Sequence, residues 1–129
     1  MICCLDTCVV IDILNNDRDL MDKLEKTEMR FCITHITLCE LFKGIYESNK
    51  INDSLRLIDE FLLSVDILEF TDESCRLFGE KYVELKKKGR PTGEADLMIG
   101  CIALSYGVTI ATRNGKDFTK ISGLNVLEV

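Results

Sequence analysis

The period of the apolar residues changes repeatedly along the chain, and each change marks the edge of an element. Ile2 to Leu5 is an unbroken apolar run, as a strand buried on both faces requires. Cys8 to Leu14 then reads as the first turns of a helix, and Asp19 to Lys26 as a second, charged helix. Arg30 to Thr34 is the next strand. Ile36 to Tyr46 is helical, with apolar residues at Ile36, Leu38, Cys39, Leu41, Phe42, Ile45 and Tyr46. Asp53 to Leu63 is another amphipathic helix, with Leu55, Ile58, Phe61 and Leu62 on one side. Val65 to Phe70 contains a strand, and Thr71 or Asp72 caps a helix that runs to about Lys88. Ala95 to Tyr106 is apolar almost all round, which predicts a buried helix ended by Gly107. Val108 to Ala111 is a strand, and Asn125 to Leu127 a last short one. The clearest loop is Lys88 to Gly93, around the single proline, Pro91.

Strands therefore alternate with helices, which predicts an α/β sandwich around a mainly parallel sheet, with right-handed crossovers placing helices on both faces. No repeat or linker divides the 129 residues, so residues 1–129 are expected to form one domain. A chain this long buries enough surface to need no disulfide or structural metal. Its seven cysteines are odd in number, lie mostly in apolar runs and form no Cys-x-x-Cys pair, and His35 is the one histidine. Zinc-site spacing is absent, and free, mostly buried thiols in a reducing cytosol are expected. The apolar start meets Asp6 at once, unlike a signal peptide, and no run approaches the roughly 20 residues of a membrane span. A soluble, cytoplasmic protein with no membrane partner is the expectation. The net charge of −6 argues against a wholly basic nucleic-acid binder and leaves room for a local basic patch.

In open parallel sheets the active crevice lies beyond the carboxyl ends of the strands. The polar residues expected there are Asp6, then Thr37 and Glu40, then Glu94 and Asp96, then Thr112, Arg113, Asn114 and Asp117. Acids dominate, and no nucleophile is paired with a base. Phosphate-cradling glycine patterns are absent. Each acid also has a structural reading. Asp6 can cap the helix after it. Thr37-x-x-Glu40 has the form of a capping box. Glu94 and Asp96 can complement a helix dipole. Asn114-Gly115 has the form of a hairpin turn. Together, however, the acids fall at one edge of one sheet, and a cluster of carboxylates must take up protons or bind a cation. An all-oxygen donor set with no His or Cys suits Mg²⁺ or Mn²⁺.

Four segments, in order, carry a family resemblance. They are Leu5-Asp6-Thr7-Cys8-Val9-Val10-Ile11, Thr34-His35-Ile36-Thr37-Leu38-Cys39-Glu40-Leu41-Phe42-Lys43-Gly44, Gly93 to Ala103 with Glu94-Ala95-Asp96, and Ala111 to Phe118 followed by Ile121-Ser122-Gly123-Leu124. The set resembles the PIN-domain ribonucleases, and within them the VapC-type toxins of prokaryotic toxin–antitoxin pairs. Cys8 stands where such proteins often have Asn or Ser, and Ala95 where a polar residue is common. The resemblance implies a PIN-like three-layer sandwich with a central five-stranded parallel sheet. It implies a pocket of Asp6, Glu40, Asp96 and Asp117, and it turns Asn114-Gly115 into a strand-to-helix turn. It further implies a metal-dependent endoribonuclease acting on single-stranded or structured RNA, restrained by a cognate antitoxin in a type II system.

On this reading Asp6 and Asp96 are the metal ligands for Mg²⁺ or Mn²⁺, because a strand end and a helix start fix them. Glu40 and Asp117 hold water or a second ion, and Glu94 is a secondary candidate. Arg113 and Lys116 are candidate phosphate contacts, and Thr112 is a candidate for the substrate side or for a hydrogen bond to a ligand carboxylate. Asp12, six positions after Asp6, is expected to point elsewhere on its helix. Lys81 to Thr92 carries five basic residues against one acid and could edge the pocket. The helices Asp53 to Leu63 and Asp72 to Lys88 carry more apolar residues than one side of a five-stranded sheet readily covers, and proteins of the resembled family commonly pair, so a homodimer is expected. Two other readings are a receiver-like Mg²⁺-binding signalling domain and a catalytically silent interaction module on the same fold.

Overall fold

The computed structural model describes all 129 residues, Met1 to Val129. Five strands are joined by seven helices. In chain order they are β1 (Ile2–Leu5), α1 (Thr7–Leu14), α2 (Arg18–Lys26), β2 (Arg30–Thr34), α3 (His35–Glu47) and α4 (Ile51–Leu62), then β3 (Asp66–Leu68), α5 (Asp72–Lys87), α6 (Glu94–Tyr106), β4 (Thr109–Thr112), α7 (Gly115–Phe118) and β5 (Val126–Glu128). The sheet order is β3-β2-β1-β4-β5, and every pairing is parallel. This is the expected five-stranded sandwich. Receiver domains follow the order 2-1-3-4-5, so the signalling reading fails on topology.

Alternation along the strands divides the interior in two. Cys3, Leu5, Ile33 and Ala111 face one way and pack with Val9, Val10, Leu20, Leu24, Leu41, Ile45 and Ile58 of α1 to α4. Ile110 faces the other way, with Leu85 of α5, Leu97, Ile99 and Cys101 of α6, and Phe118 and Ile121 around α7. Cys4 and Cys32 pack beside it against Ala103. Helices α1 to α4 thus cover one face and α5 to α7 the other. Six buried residues of α6 between Leu97 and Ala103, interrupted only by the half-buried Met98, agree with its apolar sequence. Gly107 ends it in a left-handed conformation (φ 67°) that costs a residue with a Cβ more.

Element edges shift by one or two residues from the pattern. Caps differ more. Thr34, and not Thr37, caps α3, by accepting the Thr37 amide at 3.1 Å, so Thr37-x-x-Glu40 is no capping box. Asn114-Gly115 enters α7, as the resemblance implies, and forms no hairpin. Four cysteines are buried, and Cys8, Cys39 and Cys75 are exposed. Burial pushes the Cys3 and Cys101 thiols up to about 11. The apolar excess expected on one side of the sheet is divided between both. Helices α4 and α5 lie on opposite faces, so their exposed apolar residues, Leu57 and Leu63 on one and Tyr82 and Val83 on the other, form two patches.

Phe118 holds α7 to this frame. It is fully buried against α6, and beside it Gly100 leaves room for Ile121, whose side chain a Cβ there would meet. Phe118→Ala is expected to cost about 3–5 kcal/mol, read as a lowered urea midpoint with an unchanged slope.

Candidate active site

The carboxyl ends of β1, β2 and β4 and the amino end of α6 meet at one edge. β1 is the central strand, and Asp6 follows it directly. The Asp6 amide extends the β1–β4 ladder to the Ala111 carbonyl at 3.0 Å, while its side chain caps α1. One carboxylate oxygen accepts the Thr7 amide at 2.7 Å and the other accepts the Thr112 hydroxyl at 2.8 Å. The residue is only 3% exposed. Burial raises its pKa, the Thr112 and Thr7 bonds work against that rise, and the charges of Glu40 and Asp117 add to it.

Thr7 joins the second acid to the first. Its hydroxyl donates to Glu40 Oε1 at 2.6 Å and lies 3.2 Å from the Thr37 hydroxyl. Thr7 has one hydroxyl hydrogen, so Thr37 is the donor in the second bond. Thr34 ends β2 and caps α3, which sets the phase that brings Glu40 to α1.

Asp96 lies in the first turn of α6 and has neither a hydrogen bond nor an ion pair within the chain. Burial, followed by the charges of Asp6, Asp117 and Glu40, pushes it up to about 6. Asp117 accepts Asn114 Nδ2 at 2.6 Å, and Lys120 Nζ lies 3.4 Å away. The structure therefore brings Asp6, Glu40, Asp96 and Asp117 within electrostatic reach of one another. Glu94 is exposed, and its charge bears on neither Asp6 nor Asp96.

Other candidates move. Thr112 is fully buried, donates to Asp6 and accepts the Asn114 amide at 2.9 Å, so it serves the ligand carboxylate and not the substrate side. Arg113 is held by Asp12 at 3.2 Å and Asp17 at 2.9 Å, which also explains where Asp12 points. Lys116 is exposed. Sequence reasoning missed two neighbours. Thr7 and Lys120 bind acids, and only the i,i+3 spacing of Asp117 and Lys120 hinted at either. The exposed Cys8 thiol is raised by burial and by the charges of Asp6, Asp96, Asp12 and Glu40, so it stands at the rim of the cluster.

No three acidic, His or Cys side chains converge tightly enough to form a ready-made metal cage. The donor chemistry nonetheless suits a hard divalent cation. All the donors are carboxylate oxygens, and neither Asp6 nor Asp96 is ion-paired with a Lys or Arg, the Lys120 cation lying on Asp117 instead.

Comparison with known proteins places these segments in one family. The PIN domain family model matches residues 3–124. The chain is 33% identical over 127 residues to "Ribonuclease VapC1" of Haemophilus influenzae (strain R2866), covering 96% of this chain and 95% of that one. It is 31% identical over 121 residues to "tRNA(fMet)-specific endonuclease VapC" of Shigella flexneri, covering 93% and 92%. Among solved structures it is similar to VapBC2 from Rickettsia felis bound to a DNA fragment from its promoter, with a TM-score of 0.93, 29% identity and coverage of 100% and 99%. It is also similar to VapBC-1 from nontypeable Haemophilus influenzae, with a TM-score of 0.90, 32% identity and coverage of 99% and 98%.

The raised pKa of Asp96 makes stability depend on pH. Between the unfolded value and about 6 the folded chain binds more protons than the unfolded one, so stability falls as pH rises through that window and levels off above it. Asp96→Asn removes this loss. In EDTA the variant is expected to melt higher than the parent near about pH 7.5, with the gap closing near about pH 4. Thermal melts followed by circular dichroism check this, and a gap that is constant with pH would contradict it.

Proposed function

The chain belongs to the PIN domain family, among the VapC ribonucleases, and on that premise we propose that it is a metal-dependent endoribonuclease and the toxin of a toxin–antitoxin pair. One observation carries the reading. Four carboxylates from four separate segments share one sheet edge, and Asp6 and Asp96, both raised by burial and by the other acids, have no ion pair within the chain. Residues 1–129 act as one such domain.

Asp6 and Asp96 hold Mg²⁺ or Mn²⁺. When bound, the ion supplies positive charge at the scissile phosphate and makes water a better nucleophile at neutral pH. Thr112 and the Thr7 amide keep Asp6 aimed and favour its charged form against burial. Glu40, steadied by the Thr7 hydroxyl, and Asp117, steadied by Asn114, orient water towards the phosphate. Lys116 is free to meet a phosphate, whereas Arg113 does so only on leaving Asp12 and Asp17. Glu94 drops to the rim. No helix is long and apolar enough to cross a membrane.

A groove of about 310 Å³ between α1, α3 and α4 is lined by Ile11, Leu14, Leu41, Ile45 and Leu57, with Glu40 among its walls. An antitoxin suited to it lays an amphipathic helix along the apolar lining and sends an Arg or Lys to the acids, where a charge-assisted contact replaces the metal. Tyr46, expected beside Ile45 here, is largely exposed. A second copy of the chain is also a proposed partner, through one of the two apolar patches.

The purified chain is expected to cleave RNA with Mg²⁺ or Mn²⁺ and to stop when EDTA is added. Asp96→Asn should abolish cleavage while the fold survives, and Asp22→Asn on α2 should leave it intact. Cleavage undiminished in EDTA would remove the metal from the mechanism. For the antitoxin, replacing its pocket-reaching Arg or Lys with Ala should weaken inhibition more than replacing its rim charges. Equal losses would make inhibition purely steric.

A further inference from the structure

The five basic residues between Lys81 and Thr92 are not equivalent. Lys81 is largely buried and reaches Ser122 at 2.6 Å and Glu84 at 3.6 Å. Lys88 pairs with the same Glu84 at 3.2 Å. Lys86, Lys87 and Arg90 are exposed and have no ion-pair partner. A favourable helix dipole accounts for Lys86 and Lys87 in the last turn of α5, but Arg90 lies beyond the helix. Gly89 ends α5 with φ 65°, and the Arg90 amide turns back to the Leu85 carbonyl at 2.9 Å. That turn places the Arg90 backbone directly against the last turn of α5, which carries the two lysines.

This cluster adjoins the acidic edge. The loop after Arg90 leads directly into α6 and Asp96. Lys120 ties the loop to the site, with its Nζ 3.3 Å from the Pro91 carbonyl and 3.4 Å from Asp117. Lys86, Pro91, Thr92 and Leu97 line one cleft with Tyr82, so the end of α5 faces the start of α6. Thr92 Oγ1 in this loop is the one buried side-chain polar atom of the chain without a hydrogen-bond partner. On a chain of net charge −6, a fixed group of three free cations beside a nuclease site suits a polyanion.

We propose that Lys86, Lys87 and Arg90 form the docking surface for the RNA strand, holding backbone phosphates at the end of α5 on the way to Asp96. The proposal rests on the ribonuclease reading. It calls for contacts to backbone phosphates, the sequence-independent part of a nucleic-acid interface, and Tyr82, stacked on Phe78, shares the cleft with Lys86.

The test measures binding of a labelled single-stranded oligoribonucleotide to the full chain carrying Asp96→Asn, by fluorescence anisotropy over a range of salt. Adding Lys86→Ala, Lys87→Ala and Arg90→Ala together is expected to raise Kd about tenfold or more and to flatten the plot of log Kd against log salt by about 2, the share of three phosphate contacts on a single strand. Lys23→Ala with Lys26→Ala, exposed cations of α2 on the opposite face, should change neither. An unchanged slope in the triple variant overturns the proposal, as does an equal effect from the α2 pair. A triple variant whose light-scattering mass falls to one chain while its salt slope is unchanged assigns the cluster to a second copy instead. Failure of the ribonuclease reading is seen separately, as absence of RNA cleavage by the unaltered chain, and the proposal then falls with it.

Discussion

Mutual repulsion among carboxylates at one sheet edge is the constraint around which this protein is arranged. Two such charges about 4 Å apart repel by about 4 kcal/mol at an effective dielectric near 20. The chain answers with fixed donors. Asp6 has the Thr112 hydroxyl and the Thr7 amide, Glu40 has the Thr7 hydroxyl, and Asp117 has Asn114 and Lys120. Asp96 has none, and burial, followed by the charges of Asp6, Asp117 and Glu40, raises its carboxyl to about 6. The fold withstands this because its two interiors, one on each side of the sheet, are closed by residues that take no part in it.

The two faces of the sandwich also divide the approaches to that edge. Helices α1, α3 and α4 present an apolar groove that reaches Glu40. Helices α5 and α6 present a cleft and a set of free cations that lead to Asp96. On the proposed reading an apolar helix docks on the first side and a phosphate backbone on the second. An inhibitor that occupies the groove and extends one cation to the acids would close the site without displacing the whole substrate path.

Structural and chemical readings of the same residue turn out to be compatible. Asp6 caps α1 and also lies buried in the cluster, because a cap at a strand end points its carboxylate into the crevice. Thr112 ends β4 as a packed β-branched residue and gives its hydroxyl to Asp6. The capping-box reading of Thr37 and Glu40 fails because Thr34 already satisfies the Thr37 amide, which leaves Glu40 free for Thr7. Arg113 illustrates the opposite case, since two acids of the α1–α2 region already engage it.

The sequence by itself determined the alternation of strands and helices, the burial of α6, and the edge to which the acids belong. These follow from local period and from the order of elements, which parallel crossovers translate into position. It also carried the family, through four segments in order. Only the tertiary structure decided which donor serves which acid, that Glu94 stands apart, that α4 and α5 lie on opposite faces, and that Lys120 reaches both Asp117 and the Pro91 carbonyl. Thr7 and Glu40 lie 33 positions apart, and Asp6 and Thr112 lie 106 apart. A hydrogen bond depends on angles and tenths of an ångström at its two ends, and no local pattern encodes these until packing has brought the ends together.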